Sequence, residues 1–257
     1  MKNRLREIWK RDEAALGGWL AVPNTFTAEL MSRLGFDWLT IDMQHGLIDY
    51  QAALQMLQAM TASETVSMVR VPWNEPGIIG KVLDAGAEGV IVPMVNTREQ
   101  SEAAAAACRY PPLGRRSFGP TRAALVGGSD YFDRANDEII CLIMIETQQA
   151  LDNLDEILDV PGIDGVYVGP NDLSVSLGLP PAPDHEAESF RSAIAAILEG
   201  CHQRGLTAGC AGTTKQAPMR IEGGFRFVEV SRDAGSMARA AREDLRAIRK
   251  VPGASGG

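Results

Sequence analysis

Short apolar runs rich in Val, Ile and Leu recur along the chain, each followed by a longer stretch whose apolar residues return with helical period. The runs are Leu16–Val22, Trp38–Met43, Val66–Val71, Gly89–Val95, Ile139–Glu146, Gly165–Gly169, Leu206–Cys210 and Phe227–Val230. Between them the period predicts helices over Asp49–Met60, Glu75–Ala85, Thr97–Cys108, Gln148–Asp159, Glu186–Gln203 and Asp233–Arg249. Strands alternating with helices imply parallel βαβ units, and eight such units imply a closed (β/α)8 TIM barrel. The competing architecture is a doubly wound open sheet. Against it, the first run leads into AVPNTF, without the GxGxxG turn that cradles a dinucleotide. No boundary interrupts the pattern, so residues 1–257 read as a single domain, with VPGASGG at 251–257 as a frayed tail.

One connection departs from the short-loop pattern. Residues 109–137, RYPPLGRRSFGPTRAALVGGSDYFDRAND, are dense in Gly, Pro and Arg. A connection of that length is usually functional, and it is expected to lie over the C-terminal rim of the barrel or at a subunit contact.

Composition narrows the class. The 257 residues suit a barrel of about 250. A net charge of -8 and a pI near 5.0 argue against nucleic acid as a partner, because binding a phosphate backbone needs a basic face. The chain has no run of about 18 apolar residues, and its start, MKNRLREIWKRDEAA, lacks the apolar middle of a signal peptide. No membrane partner is expected, and the location is expected to be cytoplasmic. Cys108, Cys141, Cys201 and Cys210 show no CxxC spacing and read as reduced thiols.

Barrels of this kind build their active sites at the C-terminal ends of the strands. The second run ends at Asp42, with His45 and Gly46 just beyond; the third ends at Arg70, the fifth at Glu146, and Asp172 follows the sixth. Singly, each has an ordinary explanation: a turn histidine, solvated rim charges, an aspartate capping the next helix. Jointly they bring a base, a guanidinium and two carboxylates to one rim. Two carboxylates without a neutralising lysine suggest a hard divalent cation, Mg²⁺ or Mn²⁺. Zinc would want a His or Cys cluster. A proton-sharing acid pair is the competing use of the carboxylates, but it leaves His45 and Arg70 without a role. HExxH, GxSxG and P-loop motifs are absent, and Lys215 is the one lysine placed to reach the rim as a Schiff-base former.

Several longer stretches resemble one family. IDMQHG at 41–46, VRVP at 69–72, LDAGAEGVIVPMV at 83–95, YPPLGRRSFGP at 110–120, AND at 135–137, MIET at 144–147 and GVYVGPNDLSVSLG at 165–178 together resemble the HpcH/HpaI class II pyruvate aldolases. These are phosphoenolpyruvate/pyruvate-type barrels that act on 4-hydroxy-2-oxo acids. The resemblance implies a divalent metal (Mg²⁺ or Mn²⁺, with Co²⁺ as a further candidate) and no organic cofactor. It implies His45 as catalytic base, Arg70 as transition-state stabiliser, and Glu146 and Asp172 as metal ligands. Asn171 and Asp172 would contact the pyruvate moiety. Asp84 would raise the basicity of His45 across a subunit contact, a role that Asp42 could share. Met144 stands where some members carry a substrate-binding Gln, which makes the pocket more apolar here. The resemblance further implies a homohexamer, a trimer of dimers, with the helix at 233–249 exchanged between neighbours. Its small-molecule partners would be a 2-oxo acid, pyruvate or hydroxypyruvate, and an aldehyde, with oxaloacetate decarboxylation as a side activity. The rival readings are a citrate lyase-like or malyl-CoA-type lyase, which needs a basic path for the coenzyme, and a non-catalytic barrel that senses a keto acid.

Overall fold

The computed structural model describes residues 2–250, so the tail expected at 251–257 lies outside the described residues. Eight strands pair in parallel: β1 (Ala15–Leu20), β2 (Trp38–Asp42), β3 (Val66–Arg70), β4 (Gly89–Val92), β5 (Ile140–Ile145), β6 (Gly165–Val168), β7 (Thr207–Cys210) and β8 (Phe227–Arg232). Because β1 also pairs with β8, the sheet closes into a barrel, as the alternation predicts. Both faces of each strand are covered, which is why the runs read as continuous apolar segments. In β5, Ile140, Leu142 and Met144 belong to the inner cluster, while Cys141, Ile143 and Ile145 pack outward under the helices.

The helices are α1 (Arg4–Lys10), α2 (Thr25–Ser32), α3 (Tyr50–Met60), α4 (Pro76–Asp84), α5 (Arg98–Cys108), α6 (Thr121–Gly127) and α7 (Tyr131–Glu138), then α8 (Gln148–Asp152), α9 (Leu154–Leu158), α10 (Pro170–Ser176), α11 (Glu188–Arg204), α12 (Ala217–Glu222) and α13 (Asp233–Ile248). Several start on a side-chain cap. Asn24, Asp49, Thr97 and Thr147 each accept a backbone N–H from the first turn that follows. The helix expected over Gln148–Asp159 is two. Asn153 ends α8 and begins α9, and its side chain is drawn off to donate to the Asn96 carbonyl at 2.8 Å. Helix α1, not foreseen from the pattern, plugs the N-terminal end: Leu5 and Ile8 join Trp38 and Phe227 in the inner cluster.

The 109–137 segment departs from expectation in two ways. It contains α6 and α7, and it does not lie over the C-terminal rim of its own barrel. It runs from the end of α5 to the start of β5, and both points are at the N-terminal end. There Arg122 donates to the carbonyls of Leu57 (3.2 Å) and Ala85 (2.5 Å), which close α3 and α4. A cation satisfies such terminal carbonyls and opposes the negative end of the helix dipole. A cavity of about 140 Å³ remains beneath the segment, bordered by Thr61, Glu88, Arg122 and Tyr131.

Inside the barrel, the Trp38 ring stacks on Phe227 with centroids 3.8 Å apart and lies over Gly17. A Cβ at Gly17 would stand 2.0 Å from Trp38 Cδ2, inside any permissible contact. Gly17→Ala is therefore expected to cost about 1–3 kcal/mol, the usual penalty of overpacking. Denaturant unfolding checks this, and an unchanged midpoint would show that the Trp38–Phe227 stack moves aside freely.

Candidate active site

The parallel register of β2 and β3 sets Asp42 opposite Arg70. Their side chains meet in a two-point ion pair. Arg70 Nε donates to Asp42 Oδ1 at 2.8 Å, and Nη2 donates to Oδ2 at 2.6 Å. Both residues are buried, Asp42 at 6% and Arg70 at 9% exposure. Burial alone would raise the Asp42 carboxyl, but the Arg70 guanidinium and two backbone N–H groups hold it below the usual range. Those N–H groups belong to Gln44 (3.1 Å) and His45 (3.2 Å). Asp42 thus shapes the turn that carries His45, while its oxygens are committed to Arg70 and the backbone. Asp42, which could share with Asp84 the role of orienting the His45 ring, bonds here to the His45 backbone N–H and not to the ring. Gly46 tightens the same turn, since a Cβ there would meet the Asp42 carbonyl oxygen at 2.2 Å. His45 itself is exposed on the rim.

Arg70 has a second support that the strand-end pattern did not reveal. Its guanidinium lies over the Trp19 ring, 4.4 Å from the centroid. Trp19 ends the inner face of β1 and is nearly fully buried. In the sequence it is an aromatic residue inside the apolar run Leu16–Val22, and aromatic residues at such places are usually plain core.

On the β5–β6 side, Glu146 follows β5 directly and is 2% exposed. Its Oε1 accepts the Met94 backbone N–H at 2.7 Å. Met94 has φ of 56°, a left-handed conformation that a methionine adopts only at a cost, and it aims that donor at the carboxylate. Nothing in the spacing of the sequence marks Met94 for this. Gly169 admits the other oxygen: a Cβ there would come within 2.3 Å of Glu146 Oε2. Burial pushes the Glu146 carboxyl up to about 7; Met94 opposes this, the charge of Asp172 adds to it, and Arg70 opposes it. Asp172 and Asn171 are exposed in the first turn of α10, on the same rim. Met144 is buried beneath Glu146, against Gly169, and forms an apolar floor.

The structure therefore brings Asp42, His45, Arg70, Met144, Glu146, Asn171 and Asp172 to one end of the barrel. Asp84 is not among them. It ends α4 at the opposite end, where Arg116 donates to its Oδ1 at 2.7 Å, so it cannot reach His45 of its own chain. A further rim anchor went unforeseen. Asp233, buried at the start of α13, accepts the N–H groups of Ala21 and Val22 at 3.0 Å each and ties the β1–α2 loop down.

The donor set fits a hard cation. Glu146 is a buried carboxylate whose Oε2 faces Gly169, and burial raises its pKa, with the charge of Asp172 adding to the rise. Among the described residues, no group of three or more His, Cys, Asp or Glu could hold a metal. Glu146 and Asp172 would thus leave most coordination positions to water and substrate, the habit of Mg²⁺ and Mn²⁺. Opposite them, Arg70 offers a rigid donor and His45 an exposed imidazole. The arrangement can bind an anionic oxygen-rich substrate, stabilise charge growing on one of its oxygens, and exchange a proton.

Known proteins with this chain length and arrangement are close. The chain is 43% identical over 250 residues to the hydroxypyruvate/pyruvate aldolase of Rhizorhabdus wittichii, covering 96% of this chain and 100% of that protein. It is 38% identical over 263 residues to a 4-hydroxy-2-oxo-heptane-1,7-dioate aldolase of Salmonella arizonae, covering 100% and 99%. A solved structure of an HpcH/HpaI aldolase/citrate lyase family protein from Burkholderia cenocepacia superposes with a TM-score of 0.90 at 32% identity, covering 96% and 100%. Fold, rim and relatives define the class, an aldehyde-lyase built on a (β/α)8 barrel. The family model for HpcH/HpaI aldolase/citrate lyase matches residues 16–240, and the chain belongs to that family.

The raised Glu146 pKa has a consequence for stability. Between the ordinary value of 4.5 and about 7, the folded chain holds a proton that the unfolded chain has lost. Stability of the metal-free protein should therefore fall as pH rises through that window. Glu146→Gln is expected to flatten this dependence in thermal melts with chelator present. Parallel melting curves for the variant and the wild type would contradict the burial argument.

Proposed function

We propose that this protein is a divalent-metal-dependent aldolase that reversibly cleaves 4-hydroxy-2-oxo acids to pyruvate, or hydroxypyruvate, and an aldehyde, with oxaloacetate decarboxylation as a side reaction. The observation that carries this reading is the split rim: a buried acidic oxygen pair on the β5–β6 side faces a fixed guanidinium and a histidine on the β2–β3 side. Mg²⁺ or Mn²⁺ (Co²⁺ is a further candidate), held by Glu146 and Asp172, would supply Lewis acidity toward the carboxylate and 2-oxo oxygens of the substrate. Asn171, beside Asp172, is assigned to the pyruvate moiety. Arg70 places donors where negative charge grows on the 2-oxo oxygen, and Asp42 keeps the fork from swinging. His45 takes the proton of the 4-hydroxyl. The C3–C4 electron pair then passes into the enolate of the 2-oxo acid as the C4 carbonyl forms and the aldehyde leaves. In the synthetic direction, the same imidazole returns the proton. Met144 leaves the floor apolar, which suits a small 2-oxo acid.

The assembly belongs to the same proposal. Asp84 lies far from its own His45 and would serve the histidine of a neighbouring copy in a hexamer arranged as a trimer of dimers. The exposed apolar residues Met237, Leu245 and Ile248 on α13 support exchange of that helix between neighbours. Four unpaired, buried cysteines support a cytoplasmic location, and among the described residues no helix is long and apolar enough to cross a membrane.

Pyruvate release from 4-hydroxy-2-oxopentanoate should stop in chelator and return with Mg²⁺ or Mn²⁺. Full activity in chelator, or borohydride trapping of pyruvate on Lys215, would refute metal dependence.

A second experiment separates the base from the metal site. Decarboxylation of oxaloacetate also produces a pyruvate enolate, but it has no hydroxyl proton to remove. His45→Ala is therefore expected to lose aldol cleavage by ~10²-fold or more, the usual worth of a general base, and to keep most decarboxylation. Asp172→Ala should lose both. Equal loss of the two reactions in His45→Ala would remove its assignment as base.

A further inference from the structure

The inner face of β8 carries a carboxylate that the proposed chemistry leaves unused. Glu229 is 2% exposed and lies within the barrel. Nε of Arg232 donates to its Oε1, and Nη2 of Arg232 donates to Oε2 at 3.1 Å. The Tyr167 hydroxyl donates to the same Oε2 at 3.2 Å. That hydroxyl oxygen accepts the Nε1–H of Trp19 at 3.1 Å, and the two rings meet edge to face at 5.4 Å. The face of Trp19 holds the Arg70 guanidinium. An unbroken chain thus runs from Arg232 through Glu229, Tyr167 and Trp19 to Arg70, and ends at Asp42.

Taking the Glu229 carboxylate out of water is costly, and its partner Arg232, whose side chain is largely exposed, recovers only part of that cost. Burial pushes the Glu229 carboxyl up, against the opposing pull of Arg232, Tyr167 and Arg70. What the pair supplies is direction. With its O–H donated to Glu229, the Tyr167 oxygen presents a lone pair to Trp19, so the indole has a single satisfied orientation. Asp42 grips one edge of the Arg70 fork, which alone would leave the plane free to tilt about that edge. The fixed indole removes the tilt.

We infer that Glu229 and Tyr167 are positioning residues for Arg70: they lock the Trp19 indole, whose face holds the guanidinium in the plane that Asp42 sets. This rests on the reading of Arg70 as the stabiliser of transition-state charge. Loss of either residue lowers turnover and leaves substrate affinity almost intact, because the misplaced donor matters most where charge develops.

The test is a double-mutant cycle with 4-hydroxy-2-oxopentanoate. Tyr167→Phe and Glu229→Gln are each expected to lower kcat by ~10-fold, within the range seen for small misplacements of a catalytic group, with KM changed by less than ~2-fold. In an Arg70→Ala background, the same substitutions should cost less than ~2-fold, since their route to the reaction is gone. Unchanged kcat, a loss confined to KM, or the full ~10-fold loss in the Arg70→Ala background would overturn the inference. Trp19 emission, isolated by difference against Trp19→Phe, gives a readout independent of turnover. It should shift in Tyr167→Phe as the indole loses its acceptor, and an unshifted spectrum would also overturn the inference. A wild type that releases no pyruvate would refute the functional reading alone, with the emission experiment still deciding the contact chain.

Discussion

The Asp42–Arg70 ion pair is the interaction on which the candidate site depends. It exists because the closed parallel sheet sets the last residue of β2 beside the last residue of β3. In that position, two buried charges neutralise each other with two hydrogen bonds, and the leftover capacity of Asp42 goes to the backbone of Gln44 and His45. One carboxylate therefore shapes both the guanidinium and the turn bearing the histidine. Such a pair contributes little net stability, since each charge has been taken out of water. Its value lies in placement.

The other half of the rim is built by the opposite principle. Glu146 is buried without a neutralising neighbour, and its environment raises its pKa. The barrel accepts further costs to keep it there: a left-handed Met94 that points an N–H at it, and a glycine at 169 where any side chain would collide with its oxygen. Strain and desolvation gather on this one carboxylate, and Asp172 in the first turn of α10 adds a second negative charge near it. A positive half and a negative half on one barrel mouth can hold an oxygen-rich anion between them.

The ends of the barrel divide the work. The C-terminal rim holds the candidate site, while the N-terminal end is closed by α1 and by the 109–137 segment, whose Arg122 caps helix ends and whose Arg116 pairs with Asp84. Exposed apolar side chains on α2 and α13, among them Phe26, Leu30, Met237, Leu245 and Ile248, face solvent in the single chain. A surface of this kind suits contact with further copies.

The sequence by itself determined the barrel and most of the rim. Strands covered on both faces must be continuous apolar runs, so the polar residues that end them could be found by position: Asp42, Arg70 and Glu146 at strand ends, with His45 and Asp172 just beyond. The family follows from local motifs, and these survive in any reading of the chain. Partner choice was beyond that reading. Only closure and register decided that Asp42 grips Arg70 and leaves the His45 ring alone, and that Asp84 lies at the far end. The same holds for the 109–137 segment, whose Arg122 caps α3 and α4 and which does not cover the rim of its own barrel. Glu229 was visible as a lone charge in FVEV, but its link to Arg70 passes through Tyr167 and Trp19, from three different strands. Apolar patterning is a local property of the chain, whereas a hydrogen bond between strands distant in sequence exists only once the sheet has closed.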